Sequence, residues 1–227
     1  MRLDASLAAV VLIGLFVHAP VALALEHVHQ GASPDVRAWL DFNHHLGGLI
    51  VLILAGLTWL ELLGKAPSVA LLGWPACLLV IGGYNLIGSD KLAWPIGPWG
   101  LLDSLSSPEV LQHKMLAVAV LTMGVIELLR RLQRLSHPAW LAVFYGIALL
   151  TGILLVLHDG GLSLHLHGSA ITTSHVLMGA MALMALVCKM LLDRGVIVGS
   201  LAYLYPILLL GLSVQLLLFT DPGGMRP

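Results

Sequence analysis

The chain has 227 residues, of which 59% are hydrophobic and only 10% are charged, and its formal net charge at pH 7 is −1. A soluble domain carries about 25% charged residues, so this composition excludes a soluble globular protein and predicts an integral membrane protein. No basic patch indicates a nucleic-acid partner. The two cysteines, Cys77 and Cys188, lie in separate apolar segments, which argues against a disulfide or a cysteine-based metal site.

The amino-terminal segment 1–24 has the pattern of a secretory signal peptide. Arg2 precedes an apolar run, and Ala22-Leu23-Ala24 has the small residues of a cleavage site. An uncleaved first span is the alternative interpretation. Residues 25–227 then form a single polytopic helical membrane domain.

Six further segments reach about the 20 apolar residues that a helix needs to cross a bilayer. Ser33-Pro34-Asp35 and Ser107-Pro108-Glu109 are typical helix starts, with serine at the cap, proline next and an acid in the first turn. We therefore predict an all-α integral membrane protein, a bundle of six transmembrane helices, or seven if the leader is retained. The predicted spans are 34–64, 68–88, 107–131, 138–157, 172–194 and 199–220.

The distribution of cations predicts the orientation of the bundle. Six cations fall at span ends or loops on one side, and these are Lys65, Arg130, Arg131, Arg134, Lys189 and Arg194. The opposite side carries Arg37, Lys91, Lys114 and Arg226. Cytoplasmic loops are enriched in lysine and arginine, so the first side is cytoplasmic and the mature amino terminus lies outside.

The histidines form a layer at the outer side of this topology. His44 and His45, His113 and His175 each lie near the outer end of a different span, so three helices could bring neutral imidazoles to one ion. The loop before the fifth span could add His165 and His167. Two or three histidine or methionine ligands suit Cu(I), whereas zinc usually takes four ligands. The alternative is that interfacial histidines only hydrogen-bond backbone carbonyls.

Two charges lie deeper on the same helix faces. Glu127 follows His113 by fourteen residues, and Lys189 follows His175 by the same number. Fourteen residues return to within about 40° of the same face, some 21 Å deeper, so we predict that Glu127 and Lys189 approach one another near the cytoplasmic side. The alternative is two interfacial charges at helix ends. Met178 and Met181 could supply thioether ligands, or could simply pack.

Several short motifs together resemble a bacterial family. They are Trp94-Pro-Ile-Gly-Pro-Trp-Gly, Ser-Ser-Pro-Glu-Val-Leu-Gln-His113, His165-Leu-His167 and Ser174-His175. This combination resembles the CopD-like membrane proteins of the copper resistance protein D family. The resemblance implies copper handling at the periplasmic face of the bacterial inner membrane, with His113, His165, His167 and His175 as the matched positions and a periplasmic copper chaperone as a partner.

The leading hypothesis is a membrane protein, not an enzyme, that captures copper, as Cu(I), at the outer histidines and transports or transfers it. Any inward path would use Met178, Met181 and the Glu127 and Lys189 region. A b-type cytochrome with one outer haem on His113 and His175 is the second hypothesis. A non-catalytic membrane assembly subunit is the third. The sequence shows neither a Ser/His/Asp nor a Cys/His nucleophile arrangement, nor a phosphate-binding glycine loop.

Overall fold

The structure is a computed structural model that describes residues 33–66, 70–157 and 170–220. The predicted leader and the loop histidines His165 and His167 lie outside the described residues. The described chain forms α-helices and one 3₁₀ turn. These are α1 (Pro34–Leu62), α2 (Ala70–Gly88), α3 (Leu101–Ser106), α4 (Pro108–Arg131), α5 (Ala139–Leu157), α6 (Ala170–Asp193), the 3₁₀ turn (Gly199–Tyr203) and α7 (Leu204–Leu217).

Six of these segments are long and apolar enough to cross a membrane, namely α1, α2, α4, α5, α6 and the 3₁₀ turn with α7. This confirms the predicted all-α bundle of six membrane-spanning helices, and the observed ends fall within three residues of the predicted ones. The last span starts as a 3₁₀ turn, and Pro206 then lies in the first turn of α7. Proline is tolerated there because the amide hydrogen that it lacks would have no partner within the helix.

The predicted helix start at Ser33 is confirmed by its capping geometry. The Ser33 hydroxyl accepts a hydrogen bond from the Val36 amide at 3.4 Å, with Pro34 and Asp35 in the first turn. Ser107 occupies the equivalent position before α4, but its side chain makes no capping hydrogen bond. The proline after it still fixes the start of α4, because its backbone angle is already helical.

The spans alternate in direction, so the bundle has two distinct ends. We call the end at which α1, α4 and α6 begin the histidine end, because His44, His113 and His175 lie there. We call the opposite end the arginine end, because α4 finishes there with Arg130 and Arg131.

Small residues allow the spans to pack closely. A Cβ atom built on Gly124 of α4 would lie 3.0 Å from the Leu79 amide nitrogen of α2. A Cβ atom on Gly179 of α6 would lie 3.0 Å from the Gly152 carbonyl oxygen of α5. Such backbone contacts are the usual basis of helix association in membranes.

The buried aromatic core lies toward the arginine end. Trp74 at the start of α2 packs with Phe144 and Tyr145 of α5 and with Tyr205 of α7. Met123, near the end of α4, belongs to the same cluster. The histidine end is packed differently, because a cavity lies between the spans there.

Candidate functional site

A cavity of about 190 Å³ opens between the spans at the histidine end. All six spans contribute to its wall, together with Phe219 just after α7. Its potential ligand side chains come from three helices: His44 from α1, Glu109 and His113 from α4, and His175 and Met178 from α6. The predicted convergence of histidines from three helices is therefore present for His44, His113 and His175.

His44 is held with one ring nitrogen directed at its own helix. Its Nδ1 lies 2.8 Å from the Leu40 carbonyl oxygen, four residues earlier. A carbonyl can only accept, so Nδ1 carries the hydrogen, and Nε2 is left with the lone pair that a metal ion requires. Phe219 stacks on the ring at 3.8 Å between centroids and fixes its plane.

His113 is held in a similar way, but by a carboxylate. Its Nδ1 lies 2.8 Å from Asp90 Oδ1, which directs Nε2 away from the carboxylate. Histidines that bind metals usually donate their other ring hydrogen to a carboxylate or a carbonyl, which fixes the tautomer and raises the basicity of the ligand nitrogen. Both His44 and His113 have this arrangement.

Asp90 is a residue of the site that the sequence argument did not identify. It follows α2 by two residues, and its second carboxylate oxygen accepts the Ser89 hydroxyl. Burial by itself would raise the pKa of the Asp90 carboxyl, but His113, Ser89 and the ammonium of Lys114 together hold that pKa below its usual range. Asp90 therefore remains an anion that orients His113.

Lys114 and Trp39 fix the end of α2 from which Asp90 extends. The buried Lys114 ammonium donates to the Leu86 carbonyl at 2.8 Å and to the Ser89 hydroxyl at 3.4 Å. The Trp39 indole donates to the Gly88 carbonyl at 2.8 Å. The last carbonyls of a helix have no partner within it, so these side chains from α1 and α4 satisfy them and hold the loop in place.

His175 faces His44 across the cavity. The two ring centroids are 5.9 Å apart, and the His175 side chain is buried. Two imidazoles on one ion, each with a metal–nitrogen bond of about 2.0–2.1 Å, have centroids roughly 5–6 Å apart. Met178, one turn further along α6, is 3% exposed and also lines the cavity.

His45, by contrast, is not among the residues that line this cavity. Its Nε2 lies 2.9 Å from the Phe219 carbonyl oxygen, so the side chain joins α1 to the end of α7. Successive residues on a helix point about 100° apart, which is why His44 and His45 face different neighbours. Both histidines bond a carbonyl, as the alternative for interfacial histidines predicts, but only His44 also lines the cavity.

A tighter cluster lies on the α4 side of the cavity. One ligand atom each from Asp90, Glu109 and His113 lies within 4.8 Å of the other two, and among the described residues these three form the metal-like grouping. Glu109 belongs to the first turn of α4, one turn before His113. The sequence argument used Glu109 only as a helix-start signal and missed its place in the cavity wall.

The other predicted residues lie away from the cavity. Glu127, at the arginine end, pairs with Arg130 at 2.6 Å and Arg131 at 2.9 Å, and Lys189 pairs with Asp193 at 2.6 Å. Met181 packs its methyl group against Gly211 of α7.

The Trp74 ring lies close to one cation of α4 and one cation of α6 at the arginine end. The Arg131 guanidinium lies 5.7 Å from the Trp74 ring centroid, and the Lys189 ammonium lies 5.8 Å from it. Glu127 and Lys189 thus share a neighbourhood, but each one pairs with an opposite charge of its own helix. We conclude that the charges of Glu127 and Lys189 are neutralised by charged neighbours.

The cavity is small for an organic ligand. Pockets for drug-sized ligands usually measure about 300–1,000 Å³. A volume of about 190 Å³, with imidazole, thioether and carboxylate groups on its wall, fits an ion and a few ligand atoms. No protein-family model, no curated protein and no solved structure matches this chain, so the argument for function rests on this cavity.

Proposed function

We propose that the protein binds copper in the cavity at the histidine end. It then either transports the copper across the membrane or transfers it along the membrane surface. The observation that carries this proposal is the convergence of His44, His113 and His175 from three separate helices on one cavity. Two of these rings have Nδ1 committed to an acceptor, so Nε2 is the nitrogen with the lone pair. The resemblance to CopD-like proteins points to the same ion.

The chemistry of the lining favours Cu(I) as the bound form. Neutral imidazoles and a thioether are the ligands that a soft monovalent copper ion accepts at low coordination number. His44 and His175 are separated by a distance that one ion can bridge, and Met178 adds a sulfur on the same helix as His175. Ligands on three different helices can also exchange one at a time, which is what passing an ion onward requires.

The proposed location is the inner membrane of a bacterium, with the histidine end toward the periplasm. The arginine end carries Arg130, Arg131, Arg134 and Arg194, which is the bias expected of a cytoplasmic side. A periplasmic copper chaperone would then deliver copper to the histidine end. The buried aromatic core lies at the arginine end, away from this cavity.

The test measures the copper content of purified protein after anaerobic loading with Cu(I) against a competing chelator. Wild type is expected to retain copper, and the variants His44→Asn and His175→Asn should lose affinity by more than about tenfold, because each removes a ligand. His45→Asn is the matched control, since His45 bonds the Phe219 carbonyl. It should bind copper like wild type.

Two results would overturn the proposal. Equal copper affinity in wild type, His44→Asn and His175→Asn would show that the cavity is not the site. An absorbance spectrum of the purified protein with a Soret band that disappears in His175→Asn would replace copper by the b-type cytochrome hypothesis.

A further inference from the structure

The cavity wall is chemically divided between two helices. On the α6 side stand His175 and Met178, which carry nitrogen and sulfur donors. On the α4 side stand Glu109 and His113, with Asp90 behind them. Imidazole and thioether suit Cu(I), whereas carboxylate oxygens suit harder divalent cations. The two sides therefore favour different ions.

The geometry on the α4 side is already close to that of a bound divalent ion. Two ligands on one zinc ion, each at about 2.0–2.2 Å, lie at most about 4.4 Å apart. The ligand atoms of Asp90, Glu109 and His113 all lie within 4.8 Å of one another.

The cluster is supported by the fold around it. Glu109 and His113 are one turn apart on α4, so they share a helix face. Asp90 is held by the Ser89 hydroxyl and by His113, and its side chain is only 11% exposed. An ion bound here would take the place of the hydrogen that His113 Nδ1 donates to Asp90, so that Nδ1 and an Asp90 oxygen become its ligands.

We infer that Asp90, Glu109 and His113 form a second subsite in the cavity, which binds a divalent cation such as Zn²⁺ separately from the copper position near His44, His175 and Met178. The inference deepens the proposed function, because both positions share one cavity and His113 stands between them. Its consequence is that the protein takes ions of two kinds, a soft monovalent one and a harder divalent one.

The test is a titration of the full-length protein, purified in detergent, with Zn²⁺ alone and with Co²⁺ as an optical probe. The variant Glu109→Gln keeps the size of the side chain and removes one charged oxygen ligand. Its Zn²⁺ affinity should fall by more than about tenfold, and by a larger factor than its Cu(I) affinity, because the harder ion depends more on a carboxylate oxygen. The matched control is Asp103→Asn, which removes an exposed acid from the neighbouring helix α3 and should leave both affinities unchanged.

A second measurement covers the case in which Glu109→Gln does not fold. Co²⁺ bound to wild type should show the absorption bands of a low-symmetry site with nitrogen and oxygen ligands. The inference is wrong if wild type binds neither Zn²⁺ nor Co²⁺, if bound Co²⁺ keeps the spectrum of the hydrated ion, or if Glu109→Gln binds Zn²⁺ as tightly as wild type.

The failure of this inference is distinguishable from the failure of the proposed function. Suppose that Zn²⁺ binding depends on Glu109, but that neither wild type nor any variant binds Cu(I). The divalent subsite then stands and the copper proposal falls. If Cu(I) binds and depends on His44 and His175, but Zn²⁺ does not bind, the copper proposal stands and the divalent subsite falls.

Discussion

The two ends of this bundle treat polar groups in opposite ways. At the arginine end, the charges of Glu127, Arg131 and Lys189 are neutralised by neighbours at ion-pair distance, around the buried Trp74. At the histidine end, neutral imidazoles line a cavity of about 190 Å³, and hydrogen bonds hold His44 and His113 by their Nδ1 atoms. One end uses its polar groups to hold the helices together, and the other presents them to a space between the helices.

This difference indicates where stability and function lie. Ionised groups removed from water need partners, and the arginine end supplies them within the bundle. A cavity sacrifices packing contacts and therefore costs stability, unless a ligand restores them. Substitutions at the arginine end should therefore change stability and leave ion binding alone. Substitutions at the histidine end should change ion binding and leave stability unchanged.

The largest expected effect on stability belongs to Glu127→Gln. The Glu127 side chain is only 6% exposed and bonds both Arg130 and Arg131, so its loss leaves two guanidinium groups without their shared anion. Removing one partner of a buried ion pair costs about 3 kcal/mol. Thermal unfolding in detergent, followed by circular dichroism, should show a clearly lower midpoint, with unchanged copper content per folded chain.

Glu61→Gln is the matched control for this prediction. Glu61 also pairs with Arg131, at 3.1 Å, but its side chain is 40% exposed. Exposed ion pairs contribute about 0–1 kcal/mol, so this variant should unfold close to wild type. If both variants lost equal stability, burial would not be the reason for the effect. If Glu127→Gln lost copper instead of stability, the division between the two ends would be wrong.

A smaller effect, this time on binding, is expected from Asp90→Asn. The amide keeps the shape of the side chain but removes the negative charge that orients His113. Loss of such a supporting group typically lowers metal affinity 10–100-fold, so the dissociation constant for Cu(I) should rise by about that factor. A titration against a competing chelator measures it.

The control for Asp90→Asn is Asp35→Asn at the same end of the bundle. The Asp35 side chain is 84% exposed and reaches only Lys91, at 3.5 Å. This variant should bind copper like wild type. Equal affinity in Asp90→Asn and wild type would mean that His113 does not need its carboxylate, and hence that His113 is not a ligand.

The architecture could be predicted from the sequence because a bilayer imposes a simple rule. Each span must be long and apolar enough to cross hydrocarbon, and the Ser33-Pro34 signal marks where the first one begins. The positions of His44, His113 and His175 near one set of span ends follow from the same rule. That was enough to predict that these histidines come together at one end of the bundle.

The hydrogen-bond partners of each side chain were harder to predict from the sequence. They depend on how each helix is rotated about its axis and on the conformation of the loops. Asp90 lies in a loop, and no periodic pattern connects it with His113. His45 and His44 are adjacent in sequence, yet only His44 lines the cavity. For Glu127 the signal was present, since Arg130 and Arg131 follow by three and four residues, the spacing at which helix side chains meet.

The most direct test of the central claim is X-ray absorption spectroscopy at the copper edge of the copper-loaded protein. The account predicts a first shell that contains nitrogen at roughly 2.0 Å, with the outer-shell scattering of two or more imidazole rings. The imidazole signal should weaken in His44→Asn and stay at the wild-type level in His45→Asn. Bound copper without any imidazole scattering would contradict the account.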